Sequence, residues 1–447
     1  LKALLVNPNS FQPAVPPIGL EYICEALMRE ADCALELFDF GIHRGPDLER
    51  EIRRQQPEVI GLSLRNIDTA QMFNSREFVS DLAKLVTDIR QWTTATIVLG
   101  GSGFSMMPRE IMRRTGADFG VVGEGERVLP MLLRNMDSPE KVPNLYMRQP
   151  DGSIATTRRQ WFSLAELPTY ERRLVDFDAY HATYSRYGDN TICAVQTKRG
   201  CNKRCIYCTE PQVIGSQLRL RPTQKVIEEL RCLHARGVRD RLFMADSEFN
   251  VSNDHAIEVS EAIAASGLPV SWSCYMTPEG ASEELIVAVR RAGCSMVFWS
   301  MESACDRILH NLGKGYGAED VVRSAAWCRK HEQPYTILLM FGGPGETTET
   351  IDETYANIER CRDGRIGVVT GVRVYAGTQL AALATHEGDI SANHDLLQPT
   401  FYRERFTRES LYPHVARTFS RLDGCMVLGP TRRTRYDSIS EPLTGQD

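Results

Sequence analysis

Three cysteines, Cys201, Cys205 and Cys208, fall within the string Lys198-Arg-Gly-Cys-Asn-Lys-Arg-Cys-Ile-Tyr-Cys-Thr209. A C-x-x-x-C-x-x-C loop carries three thiols on one short turn. Structural zinc takes four protein ligands in a closed tetrahedron, and no second Cys pair or His pair of that spacing follows. Three thiolates suit three irons of a [4Fe–4S] cluster, with the fourth iron left open to a substrate or cofactor. The bland alternative is a set of buried thiols, since free cysteine behaves as a small hydrophobe. The tight spacing speaks for the cluster.

Other polar strings follow apolar runs downstream. Asp246-Ser-Glu-Phe-Asn250 follows Arg241–Ala245, and Ser300-Met-Glu-Ser303 closes Met296–Ser300. Gly342-Gly-Pro-Gly-Glu-Thr347 follows Thr336–Met340, and Val372-Arg-Val-Tyr-Ala-Gly-Thr378 follows Gly367–Thr370. Asp246 and Glu248 read either as acids at a helix start or as acceptors for a cationic group. The glycine-rich string, with Gly343 at its centre, makes a polar cradle at a helix N-terminus. Arg373 reads equally as a ligand or as half of a structural salt bridge.

These strings need a frame to bring them together. Apolar runs 192–197, 241–245, 270–274, 296–300, 336–340 and 367–370 alternate with helical stretches. Six such repeats predict a partial parallel barrel over residues 191–385, with chemistry at the carboxyl ends of its strands. Trp272, Tyr275 and Trp299 lie near those ends, as core residues or as the wall of a flat pocket. Residues 141–190, with Pro143, Pro150 and Pro168, read as a linker. Residues 386–447 carry a helical stretch near 409–422 and read as a lid.

Residues 1–140 form an earlier α/β unit. Runs at Leu4–Val6, Ala34–Phe38, Val59–Ser63, Thr96–Leu99 and Phe119–Val122 alternate with helices near 19–30, 47–55 and 75–91. This order predicts a doubly wound, Rossmann-like parallel sheet. Ligands bind such sheets beyond the carboxyl ends of the strands. The unusual loops fall there: Asn7-Pro8-Asn9, Ser63-Leu-Arg65-Asn66-Ile-Asp68, Gly100-Gly101-Ser-Gly103 and Gly123-Glu124-Gly125-Glu126. No G-x-G-x-x-G follows the first strand, so a dinucleotide is disfavoured.

The cysteine loop, with Tyr207 before its last cysteine, resembles the cluster loop of the radical S-adenosylmethionine (SAM) superfamily. The first unit resembles the cobalamin-binding domain that precedes the radical SAM domain in one large subgroup, and the likeness spans about residues 1–385. It implies three cofactors: a [4Fe–4S] cluster on Cys201, Cys205 and Cys208, SAM, and cobalamin. It implies SAM contacts from Tyr207, Asp246, Glu248, Glu302, Ser303, Gly343 and Arg373. It implies cobalamin contacts from Asn7, Pro8, Ser63, Arg65, Asn66, Gly100, Gly101, Gly123, Glu124 and Gly125. Proteins that ligate cobalt from below use D-x-H-x-x-G; here Asp39-Phe-Gly-Ile-His43-Arg-Gly45 has the wrong spacing. Arg65 stands where the subgroup covers the lower face with a non-ligating side chain. It covers cobalt as a catalytic residue, or it merely pairs with Asp68.

The resemblance implies methylation of a carbon of a small-molecule, natural-product-like substrate, by way of methylcobalamin. Cyclisation or rearrangement with the same cofactors, and polar methylation of an aromatic carbon, remain alternatives. A non-enzymatic cobalamin and iron–sulfur sensor is the reading from another class, and it leaves the SAM-type loops without a use. A methylthiotransferase is disfavoured, since Cys24 and Cys33 are the only cysteines in the first unit. The family implies an external electron donor such as flavodoxin or ferredoxin.

Bulk properties set limits. The 447 residues are 42% hydrophobic and 25% charged, which excludes a disordered chain and suggests about three domains. The net charge is −6, and local basic clusters such as Thr431–Arg435 are too short to make a nucleic-acid footprint. No apolar run reaches spanning length and no signal peptide is visible, so no membrane partner is expected. Thirteen cysteines without framework spacing fit a reducing, cytoplasmic setting.

Overall fold

The structure, a computed structural model, describes residues 1–30, 33–184, 193–361 and 364–430. Ile192 and the basic string at 431–435 lie outside the described residues. The five apolar runs of the first unit form β1 (Lys2–Asn7), β2 (Ala34–Asp39), β3 (Val59–Ser63), β4 (Thr96–Gly100) and β5 (Phe119–Val121). They are parallel, in the order β2-β1-β3-β4-β5. Helices cover both faces of the sheet, so its strands need near-continuous apolar runs. Leu4, Val6, Ile60, Ile97 and Leu99 are all buried. Helices Ile18–Glu30, Gly45–Gln55 and Val79–Trp92 make the crossovers between strands. The order reverses between β1 and β3, which is where doubly wound sheets open a crevice.

The stretch expected as a linker is partly structured. β6 (Leu145–Arg148) and β7 (Ile154–Thr156) extend the first sheet antiparallel from β5, so that sheet has seven strands. Their buried/half-buried alternation runs over only three or four residues, too short to stand out beside the prolines. A helix, Phe177–Tyr184, follows.

The second sheet contains β8 (Cys193–Val195), β11 (Leu242–Met244), β12 (Trp272–Met276), β13 (Cys294–Glu302), β14 (Tyr335–Phe341), β15 (Arg365–Thr370) and β16 (Cys425–Val427). All pair in parallel, in that order from edge to edge. β9 (Lys198–Arg199) and β10 (Arg219–Leu220) form a separate antiparallel ribbon flanking the cysteine loop. The seventh strand, β16, comes from the tail expected as a lid, so that region closes the barrel edge as well. Trp272 and Trp299 are wholly buried between sheet and helices. Tyr275 points to the opposite face and is 38% exposed.

The two units share more than a linker. Val372, Val374, Leu380, Ala381, Ala384, Leu396, Leu397 and Tyr402 pack into the core of the first unit with Leu4, Ile60 and Leu99. Arg172, fully buried at the junction, pairs with Glu21 from the first unit and Glu229 from the second. Its Nη2 also donates to the Ala194 carbonyl at 2.6 Å. Tyr22 and Tyr170 stack beside it with centroids 3.7 Å apart. Among the described residues, no helix is long and apolar enough to cross a membrane.

Candidate functional site

The cysteine loop begins where β8 gives way to β9, at the carboxyl end of the barrel. Gly200 turns the chain with φ +91°, and a Cβ there would lie 2.1 Å from the Gln217 carbonyl oxygen. Only glycine allows the loop to close this tightly on the stretch before β10. Cys201 N–H donates to the Gly215 carbonyl (3.1 Å), Ile206 N–H to the Leu312 carbonyl (3.1 Å), and Leu380 N–H to the Ile206 carbonyl (2.9 Å). The loop is thus tied down from three directions.

None of the three cysteines is in a disulfide. Among the described residues no three His, Cys, Asp or Glu side chains converge tightly enough to hold a metal ion. The three thiols nevertheless sense one another electrostatically. Burial raises all three, and Cys208 is pushed up to about 12. The protein alone therefore keeps them as thiols, and ionising them is left to the metal they bind. Glu210 N–H, at the start of helix Glu210–Ile214, points at the Cys208 sulfur from 3.4 Å. Three unpaired thiols on a loop tied at both ends fit a three-cysteine cluster.

Tyr207, Glu302 and Lys314 meet beside the loop. The Tyr207 hydroxyl donates to Glu302, and Lys314 Nζ lies 2.6 Å from Glu302 Oε1. Glu302 sits at the end of β13 after a register shift, with φ +57°. A left-handed non-glycine residue costs free energy, and such strain gathers at functional sites. Two buried carboxylates nearby keep one oxygen without a hydrogen-bond partner, Glu248 Oε2 and Glu346 Oε2. Burial and the neighbouring Glu302 charge push Glu248 up to about 8. Burial raises Glu346 to about 7, against a hydrogen bond from Thr350. These orphan oxygens suit a cationic ligand, beside which a raised carboxyl gives up its proton and accepts, as it would from the ammonium of SAM.

Other expected SAM contacts are occupied by the protein itself. Asp246 pairs with Lys198 at 2.7 Å and accepts from Thr197 N (2.8 Å), Thr197 Oγ1 (2.5 Å) and Lys198 N (3.2 Å). Ser303 is wholly buried; its Oγ accepts from Cys305 N (3.1 Å) and bonds to Thr354 Oγ1 (2.9 Å). Arg373 pairs with Asp68 at 2.8 Å, donates to the Leu396 carbonyl at 2.8 Å, and stacks on Tyr375. It ties the two units together. Gly343 lies under Leu312, whose Cδ2 would be 3.0 Å from an added Cβ.

The expected cobalamin contacts divide in the same way. Arg65 and Asn66 are exposed at the carboxyl end of β3, and Ser102 beside them donates to the Arg65 carbonyl at 2.7 Å. Asp68 is taken by Arg373, so the pairing of Arg65 with Asp68 does not form. Pro8, Ser63, Gly100, Gly101 and Gly123 are half-buried along the same edge. Gly101, at φ +97°, would bring a Cβ within 2.4 Å of the Leu64 carbonyl oxygen, so the loops after β3 and β4 are in direct contact. Asn7 is buried and bonds to Asp39 at 2.9 Å. Glu124 is spent on Arg199 and Arg219 of the β9–β10 ribbon and accepts from Phe162 N at 3.1 Å. Gly125 packs under Ile23. His43 bonds to the Asp39 carbonyl at 3.1 Å and stacks on Phe38. The open rim of Arg65, Asn66 and Ser102 fits a flat ligand lying over the sheet edge.

The two carboxyl edges face each other. Helix Ser102–Met106, after β4, packs against helix Glu210–Ile214, after the cysteine loop. Arg159 donates to the Val213 carbonyl at 3.0 Å and lies over Trp161, 4.4 Å from its ring centroid. Sequence reasoning missed Lys314, since an isolated cation carries no spacing signal.

A model described as B12 binding domain matches residues 6–133, and one described as Radical SAM superfamily matches residues 195–358. The chain is 26% identical over 412 residues to a tryptophan 2-C-methyltransferase of Streptomyces laurentii, covering 78% of this chain and 68% of that one. It is 26% identical over 348 residues to an uncharacterised methyltransferase of Pyrococcus horikoshii, covering 76% and 72%. Among solved structures it resembles the radical SAM methyltransferase TsrM of Kitasatospora setae with cobalamin and [4Fe-4S] cluster bound. That match has a TM-score of 0.78 and 27% identity, and covers 86% of this chain and 78% of the other. The cobalamin-dependent radical enzyme OxsB shares the fold, with TM-score 0.73 at 15% identity.

Proposed function

This chain belongs to the cobalamin-dependent radical SAM methyltransferase family, and on that footing we propose that it methylates a carbon of a small molecule. The observation that carries the reading is the facing of two sheet edges: the three-cysteine loop at one, the open Arg65 rim at the other. When bound, the cluster supplies an electron, SAM the methyl group and cobalamin its carrier. The chain's own share is to hold and orient them. Cys201, Cys205 and Cys208 hold the cluster. Glu248 and Glu346 offer buried acceptors to SAM, and burial in a low-dielectric site strengthens each such contact. Arg65, exposed at the rim after β3, would lie against bound cobalamin and would bring it a positive charge and no ligating atom.

A second reading, polar methylation of an aromatic carbon, is favoured by the barrel wall. Phe243, Tyr275 and Phe298 lie on the face opposite Trp272 and Trp299. Their ring centroids are 5.2 and 5.7 Å apart, in edge and tilted geometries. Such a wall suits a flat ring, and the Streptomyces laurentii relative is named for methylating tryptophan. Anaerobic reconstitution with SAM, cobalamin and reductant, followed by mass analysis, tests both readings. S-adenosylhomocysteine together with 5′-deoxyadenosine and methionine supports radical methylation. S-adenosylhomocysteine alone supports the polar route, and absence of a methylated product across aromatic and aliphatic candidates refutes both.

A further inference from the structure

Lys314 is a buried cation beside the cysteine loop, and the reading above gives it no task. Its side chain is 6% exposed. Burying an ammonium is costly without compensation, and two features compensate it. Its Nζ is 2.6 Å from Glu302 Oε1. It lies 5.4 Å from the ring centroid of Tyr207, the residue just before Cys208 in the loop. The residues just before Lys314, Leu312 and Gly313, contact Ile206 and Arg204, the two neighbours of Cys205.

The backbone puts Lys314 there deliberately. Helix Asp306–Asn311 ends at Leu312, whose carbonyl accepts from Ile206 N–H inside the cysteine loop (3.1 Å). Gly313 follows at φ +75°, and a Cβ on it would lie 2.3 Å from the Arg204 carbonyl oxygen. Residues 312–314 are therefore a strap pressed directly onto the Arg204–Ile206 segment. The next side chain along the strap is the ammonium.

We propose that Lys314 is a positioning and tuning residue for the cluster, whose charge beside the Cys205 turn makes the cluster easier to reduce. A three-cysteine [4Fe–4S] cluster gains one negative charge on reduction. Net charge and hydrogen bonds to the sulfurs are the protein's levers on its potential. A nearby cation stabilises the reduced form more than the oxidised one. Glu302 partly neutralises that cation, so the two residues act in opposite senses. A cationic ligand taken up at Glu302 would free more of the Lys314 charge to act on the cluster.

The proposal rests on the cluster assignment but not on any methyl transfer, so failure of the parent to hold iron is a failure of the earlier reading. The test is a reductive titration of the reconstituted full chain, without substrate, followed by electron paramagnetic resonance. Lys314→Gln should keep the parent's iron content and lose about tenfold in the reduced-to-oxidised ratio at fixed potential. For a one-electron couple that is about 59 mV more negative. Lys314→Arg should restore much of the ratio. Glu302→Gln should move the ratio the opposite way, and it decides the matter if Lys314→Gln fails to hold iron. An unchanged midpoint in iron-replete Lys314→Gln overturns the proposal, as does a negative or absent shift in Glu302→Gln.

Discussion

Asp246→Asn separates a structural carboxylate from a ligand-binding one. Both oxygens of Asp246 are occupied. Oδ1 accepts from the backbone N–H groups of Thr197 and Lys198, and Oδ2 from Thr197 Oγ1 and Lys198 Nζ. Its side chain is fully buried and Lys198 is 1% exposed. The asparagine amide cannot accept on the nitrogen side, so it leaves Lys198 a buried cation with its charge uncompensated. Lys198 keeps the Phe249 carbonyl at 2.7 Å and the Phe249 ring at 4.7 Å, neither of which replaces a charge. Breaking one side of a buried pair costs about 3–5 kcal/mol. For a unit of this size that lowers the melting temperature by about 6–20 °C. Thermal unfolding of parent and variant, both without cofactors, reads this directly. Calorimetry of SAM binding below the variant's transition supplies the second arm. The reasoning is refuted if Asp246→Asn melts within about 2 °C of the parent while SAM binding is lost, for then Asp246 is a ligand and the pairing is incidental.

Three further outcomes are expected. Changing Cys201, Cys205 and Cys208 together to Ala should leave essentially no bound iron after reconstitution, and a full [4Fe–4S] signal in that variant would contradict the site. The Co(II) form of bound cobalamin should show no nitrogen superhyperfine splitting, and Arg65→Ala should still bind cobalamin but with a water-ligated visible spectrum; an unchanged spectrum would make Arg65 a bystander. Burial raises Glu346 above its unfolded value, so the folded state takes up a proton, and that contribution is full below about pH 4.5 and lost as pH rises through about 7. Denaturation midpoints across pH 4–8 should therefore decline less steeply in Glu346→Gln than in the parent, and parallel profiles would show that Glu346 stays ionised.

The sequence was most legible where structure is local. The five parallel strands of the first sheet coincide with their apolar runs to within a residue or two, because a strand covered by helices leaves little room for other patterns. The cysteine loop stood out for a similar reason, since its three thiols share one short turn. Partnerships across the chain were not legible. Asp68 finds Arg373 rather than Arg65, Glu124 finds Arg199 and Arg219, and Asp246 finds Lys198 across the strand ends. Each acid sits at a strand end where a ligand would also be expected, and local sequence does not distinguish the two fates. β16 was missed because three residues from the tail, Cys425–Val427, carry no period of their own and are strands only by pairing with β15.

The packing of residues 372–402 into the first unit has a consequence for how the chain is made. Arg373 closes on Asp68 across 305 positions of sequence. At about 5–20 residues per second of synthesis, Asp68 waits about 15–60 s for that partner to emerge. Until then the faces later covered by Val372, Leu380 and Tyr402 stay open to water. The first unit, although first to leave the ribosome, is the last to be finished. Cutting the gene after residue 140 would leave that flank bare and would also remove β6 and β7 from the sheet. Any shortened form meant to hold the first unit must carry the 372–402 segment with it.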